Sequence, residues 1–392
     1  MSTLNQTTTH NADRAHWSAI FAMTLCVFVL IASEFMPVSL LTPIARDLGI
    51  TEGLAGQGIA LSGALAVITS LTLSRLAGTM ARKTLLLGMT LLMAVSGVII
   101  AFASGYLTYM VGRALIGIAI GGFWSMSAAT AIRLVPAPQV SRALAIFNGG
   151  NALATVVAAP LGSYLGATIG WRGAFLCLVP LAIVAFIWQC VSLPRMAPTN
   201  RRATRRCLFR QPYVLVGLMA CGVFFMGQFA LFTYVRPFLE SVTRVSASEL
   251  SSILLVIGLA GFAGTLIVAK VLNAAFYPTL IAIPLLMAAI AGTLMLAGNS
   301  LWMVILLLGC WGLLATSAPV GWWMWLAQTL PDDAEAGGGM MVTVIQLSIA
   351  LGSTSGGRAF DHLGWQSTFA LSGILLLAAG GLTLFISRLQ RR

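Results

Sequence analysis

WSAIFAMTLCVFVLIASEFMPVSLLTP, residues 17–43, is an almost unbroken apolar run with one carboxylate, Glu34, in its interior. It is long enough to cross a bilayer as a helix. At 1.5 Å per residue Glu34 lies roughly 14 Å from Pro43, near the midplane of a hydrocarbon core about 30 Å thick. An ionisable group at that depth is costly, and by default it relays protons, binds a substrate or pairs with an opposite charge. The alternative is a glutamate that stays neutral and only packs a helix interface.

The rest of the chain has the same character. Of 392 residues, 59% are hydrophobic and 8% charged, with a mean hydropathy of +0.95. Soluble domains carry about 25% charged residues, so this is the composition of an integral membrane protein. A net charge of +12 would point to nucleic acid in a soluble chain. Here the basic residues sit in short loops beside apolar spans, where they set orientation, and no nucleic-acid partner is expected. The six cysteines, Cys26, Cys177, Cys190, Cys207, Cys221 and Cys310, show no C-x-x-C or Cys/His spacing, so neither disulfides nor a metal site is expected. His10, His16 and His362 fall outside the spans or at their edges. With no nucleophile and base pair inside the spans, an enzyme is not expected. Nor is there a G-x-x-x-x-G-K-[ST] segment for ATP-driven transport.

Hydropathy, interrupted at charge, Pro and Gly clusters, predicts twelve spans. They cover 17–44, 53–74, 84–104, 106–132, 143–167, 173–193, 212–239, 249–269, 278–298, 301–328, 337–359 and 366–387. The first fifteen residues are polar and lack the apolar core of a cleaved leader, so the amino terminus is expected to stay inside. With that end inside, 16 of the 22 basic residues fall on the cytoplasmic side, against Arg46, Arg172, Arg236, Arg244 and Arg358 outside. The asymmetry predicts both termini in the cytoplasm. Residues 194–211, PRMAPTNRRATRRCLFRQ, are the longest polar connection and fall at mid-chain. The organisation expected is a tail over 1–16, a bundle over 17–193, this basic cytoplasmic linker, a second bundle over 212–387 and a tail over 388–392.

The two bundles repeat each other at an offset of 194 residues. That shift carries Glu34 to Gln228, Phe35 to Phe229, Pro43 to Pro237, Gly162 to Gly356, Gly170 to Gly364, Trp171 to Trp365 and Phe175 to Phe369. The paired GWRGAF and GWQSTF segments are the most specific of these. Parallel halves around a midplane site are an architecture of alternating-access transporters, and the shift makes Gln228 the counterpart of Glu34. The expected fold class is therefore all-α, with twelve transmembrane helices in two pseudo-symmetric six-helix halves.

Several motifs now carry a resemblance. The 2–3 loop SRLAGTMARK keeps Leu76, Ala77, Arg82 and Lys83 of the pattern G-x-L-a-D-r-x-G-R-K, while Ser74, Gly78 and Ala81 depart from it. VGRALIGIAIGG holds an R-x-x-x-G pair at Arg113 and Gly117, and Ala159 to Ser163 loosely match a G-P-x-x-G-G run. The chain resembles the drug/proton antiporter branch of the major facilitator superfamily, which implies twelve spans and proton antiport, with Arg82 and Lys83 in a conformational loop. ASEFMPVSLLTPIARDLGI, IGGFWSMSAATAIRLVP, GQFALFTYVRPFLE and APVGWWMWLAQTLP further resemble bacterial purine ribonucleoside efflux pumps; sugar exporters share the E-F-x-P-V opening. The resemblance implies inosine- or guanosine-type cargo, with sugars or hydrophobic drugs as the alternative.

Arg113 belongs with Glu34. Counted from Tyr106 it lies about 10 Å deep, close to the depth of the acid. Two readings are open, a proton-coupling pair and a permanent salt bridge between spans 1 and 4. The solute site is expected from Phe35, Trp124, Phe229, Phe232 and Trp322 as aromatic faces, with Asn148, Asn151, Gln228 and Gln346 as donor and acceptor pairs. Trp322, Trp323 and Trp325 cannot all face one cavity at helical spacing. Gly117, Gly121 and Gly122 are read as close-packing positions. The expected partners are a small solute, protons and the bilayer, with no cofactor, for a chain working as a monomer. A proton-independent facilitator is the competing mechanism.

Overall fold

The computed structural model describes residues 15–76, 80–196, 212–330 and 334–389. The linker beyond Met196, with Arg201 and Arg205, lies outside the described residues, as do residues 1–14, the loop positions Ala77 and Gly78, and the last three residues. Among the described residues, twelve helices are long and apolar enough to span a membrane. They are α1 (Trp17–Leu48), α2 (Glu52–Leu76), α3 (Arg82–Ala101), α4 (Tyr106–Arg133), α5 (Val140–Thr168), α6 (Gly170–Ser192), α7 (Pro212–Phe232), α8 (Ala247–Ala274), α9 (Phe276–Ala297), α10 (Leu301–Thr329), α11 (Ala334–Leu363) and α12 (Trp365–Leu389).

The predicted spans are all present, most of them a few residues longer than hydropathy alone gives. The helix α1 runs through both Pro37 and Pro43 and stops at Gly49, whose φ of 65° and N–H bonds to Ala45 and Arg46 make a left-handed C-cap. The seventh span behaves differently. It breaks after Phe232 and resumes as a short helix, Val235–Phe238, followed by a π turn, Leu239–Thr243. The cause is Pro237, which removes an N–H and crowds the carbonyl four residues before it.

Packing follows the repeat. Within the first half α1 lies against α5 and α6, α4 against α2 and α3, and α3 against α6; the second half repeats each of these pairs six helices later. The halves meet through α2 against α11 and α5 against α8, which the pseudo-twofold exchanges. Two hydrophobic clusters result, one drawn almost wholly from residues 19–196 and the other almost wholly from 214–386. Gly170 and Gly364 adopt φ of 77° and 82° in the turns that open α6 and α12, a conformation glycine enters without steric cost. After each glycine the tryptophan packs edge-on against the phenylalanine four residues later, at 6.5 Å for Trp171 with Phe175 and 5.5 Å for Trp365 with Phe369. Lipid offers no hydrophobic drive between helices, so close contact must come from small residues. An added methyl at Gly117 or Gly121 of α4 would lie within 2.4 Å of the α2 main chain at Ser62 and Ala66, and one at Gly312 of α10 equally close to the α8 main chain at Ile257.

Candidate functional site

At the centre of the molecule Glu34 is 3% exposed, and its carboxylate accepts a hydrogen bond of 3.1 Å from Gln346 Nε2 on α11. This bond joins the halves. Beside it Phe35 of α1 stacks on Phe229 of α7 with ring centroids 5.8 Å apart, and Phe232 meets Phe229 edge-on at 6.1 Å. Gln228 follows on the same stretch of α7, half-buried, and among the described residues its buried side-chain oxygen has no hydrogen-bond partner. The repeat thus places an acid and an amide on either side of an aromatic contact across the pseudo-twofold.

Arg113 is fully buried against α1, but its guanidinium does not bond the carboxylate of Glu34. It donates to the main-chain oxygens of Ser33 (2.8 Å), Glu34 (3.3 Å) and Gly58 (3.1 Å) and to Ser62 Oγ (2.9 Å). The salt bridge that one of the two readings put between spans 1 and 4 is absent among the described residues, and a clamp on the α1 and α2 backbones stands in its place. The reason lies in α1. Pro37 has no N–H to give the carbonyl of Ser33, four residues earlier, and a buried carbonyl without a donor is costly. Arginine's planar fork, with five donors, serves that carbonyl and its neighbours together. Pro37 was the sequence signal for this, since a mid-helix proline leaves a vacant acceptor at i−4.

The other predicted residues are spread more widely. Trp124 is half-buried and meets Phe147 edge-on at 6.0 Å between α4 and α5. On α5, Asn148 is exposed and donates to Leu144 of its own helix, while Asn151 is half-buried. Trp322 is 2% exposed and packs against Trp325 inside the second half, whereas Trp323 is 43% exposed. Lys83 donates to the carbonyls of Cys190 and Leu193 at 2.7 and 2.6 Å, so it caps the C-terminus of α6. Arg82 is half-buried next to it in the first turn of α3. The structure therefore brings Glu34, Gln346, Phe35, Phe229, Phe232 and Gln228 together. Trp322 lies in the second core, and Arg82 and Lys83 at one end of the first bundle.

The chain matches the family profile of the Major Facilitator Superfamily over residues 23–353. The chain belongs to the major facilitator superfamily. It is 39% identical over 366 residues to the purine ribonucleoside efflux pump NepI of Salmonella strains, covering 93% of this chain and 92% of the relative. It is 61% identical over 378 residues, 95% of this chain and 94% of the other, to a Pseudomonas aeruginosa protein named transcription regulatory protein OpdE. Among solved structures it is similar to a bacterial homolog of the human lysosomal transporter Spinster in an inward-facing, unoccupied conformation, with a TM-score of 0.76 at 14% identity over 95% of this chain and 97% of that one. The human organic anion transporter MFSD10 gives a TM-score of 0.68 at 15% identity over 95% and 100%. In the superfamily fold of two six-helix halves, Glu34 lies where the halves meet. As a major facilitator superfamily member this chain is a multi-pass membrane transporter of small molecules.

Sequence reasoning missed two groups at this junction. Arg236, counted as an outside loop charge, is 8% exposed, pairs with Glu240 at 2.8 Å and donates across the halves to the main-chain oxygen of Ser39. Asp361 of α11 reaches Thr51 and Gly53 at the start of α2. Both bind main-chain atoms of a distant helix, and no local pattern reveals that.

Proposed function

We propose that the chain is a proton-coupled antiporter of the bacterial inner membrane that exports purine ribonucleosides, with both termini cytoplasmic and one copy sufficient for transport. The observation that carries the reading is the Glu34 to Gln346 bond, a titratable group placed where the halves must part during alternating access. When ionised, the carboxylate only accepts hydrogen bonds; when protonated, it also donates one. A proton on Glu34 therefore changes the contact between α1 and α11, and the arginine clamp fixes the backbone that carries the acid. The unpartnered amide oxygen of Gln228 supports a role in pairing a solute donor, and the neighbouring phenylalanines suit a purine face. The similarity to pumps named for purine ribonucleosides favours that class over sugars or lipophilic cations.

The test is uptake of inosine, guanosine, arabinose and a lipophilic cation into inverted vesicles under an imposed pH gradient. Uphill accumulation of the nucleosides supports the proposal. Equilibration without accumulation makes the chain a facilitator, and accumulation of arabinose or the cation alone assigns another cargo.

The name of the 61% identical relative points to a second reading, an effect on transcription. A carrier produces such an effect by setting the level of an inducing solute, without touching nucleic acid. A reporter that responds to the unaltered protein but not to a variant with Glu34→Gln, made at equal levels, would link that effect to transport.

A further inference from the structure

Away from the chain termini the two halves are drawn together by charged side chains of the second half acting on main-chain groups of the first. In α1, Pro43 leaves the carbonyl of Ser39 without its helical donor, and the buried Arg236 supplies one. In α2 the complementary case holds. The first N–H groups of any helix lack intrahelical partners. Thr51 Oγ1 serves Leu54 at 3.1 Å, and Asp361 Oδ1, at the far end of α11, accepts from Gly53 N at 3.0 Å while Oδ2 accepts from Thr51 Oγ1 at 2.6 Å. A carboxylate at a helix N-terminus is favoured by the aligned peptide dipoles as well as by the bonds.

Among the described residues the pseudo-symmetric helix α8 has no such cross-half cap. Its N-terminus is closed locally by a capping box, Ser246 with Glu249. We infer that Asp361 is a conformational latch: it caps α2 across the boundary only while the halves are closed at this end, and it biases the carrier toward that state. The seat for the carboxylate is shaped by Gly53. A methyl there would stand 2.1 Å from Asp361 Oδ2 and 2.7 Å from the Gly357 carbonyl, both on the opposite half, and α2 itself would accept alanine readily. Release costs little, because water replaces the carboxylate at the exposed end of α2. A latch of this kind holds a state without trapping it.

The experiment measures the distance between the halves at this end by double electron–electron resonance. Nitroxides are placed at Leu107→Cys and Leu296→Cys, both exposed, in full-length protein whose native cysteines are replaced. Asp361→Ala should raise the ratio of long to short distances roughly three- to tenfold, the span a lost helix cap represents. Gly53→Ala should shift it in the same direction and further, since its clash exists only in the closed state. Distance distributions unchanged in both variants would overturn the proposal. So would a fall in melting temperature for Asp361→Ala with the distribution unmoved, since the cap would then serve folding alone. Should Asp361→Ala fail to accumulate, Gly53→Ala decides the question by itself.

Discussion

Glu34 and Arg113 sit side by side in depth yet bond to different partners, and each makes a separate prediction. Glu34→Gln keeps the side chain's shape and still offers an oxygen to Gln346, but it cannot titrate. It should retain counterflow exchange of a nucleoside in proteoliposomes and lose pH-driven accumulation; unchanged uphill transport would remove the coupling role. Arg113→Lys replaces a fork with a single ammonium, which cannot serve Ser33, Gly58 and Ser62 together. The expected cost is about 3 kcal/mol of stability, because buried acceptors are left unpaired. Adding Pro37→Ala returns an N–H to the Ser33 carbonyl and should recover about 1 kcal/mol of that loss, which a double-mutant cycle of thermal unfolding in detergent would read. Gln228→Ala should weaken nucleoside binding by about 1–3 kcal/mol while leaving the pH response of the remaining transport intact. Unaltered affinity at two pH values would show that the amide does not touch the cargo.

At the scale of helices, contact is set by glycine and by charge at helix ends. Gly121→Val would drive a side chain into the α2 main chain at Ala66, where no flexible group can yield. Overpacking of this kind should cost about 1–3 kcal/mol, seen as a lower melting temperature, whereas the same change at Gly88, with open space around it, should be nearly silent. The short polar ends matter too. Lys83→Met removes the donor from the last carbonyls of α6 and should cost about 1 kcal/mol.

For the whole molecule the excess of Lys and Arg on the side of the termini predicts the proposed orientation, with both termini cytoplasmic. A single cysteine replacing Thr204 in the central linker should react with a membrane-impermeant maleimide only from the cytoplasmic face. Labelling from outside in intact cells would reverse the proposed topology.

The sequence by itself determined the number of spans, the two-half repeat and the position of one intramembrane acid. Each is a local property: apolar run length against bilayer thickness, identity at a fixed offset, or a charge where lipid excludes one. GWRGAF and GWQSTF announced equivalent turns, and the left-handed glycines at 170 and 364 are where that equivalence shows in the backbone. Only the tertiary structure decided who pairs with whom. Successive residues on a helix point about 100° apart, so a small rotation of α4 or α11 about its axis selects a different neighbour. Depth along the membrane normal put Arg113 near Glu34, but rotation and the vacancy left by Pro37 turned its guanidinium to the backbone, and α11 delivered Gln346 to the acid instead. The same holds for Arg236 and Asp361, whose partners are main-chain atoms of helices nearly two hundred or more residues away, set by how the halves dock rather than by any pattern in the chain.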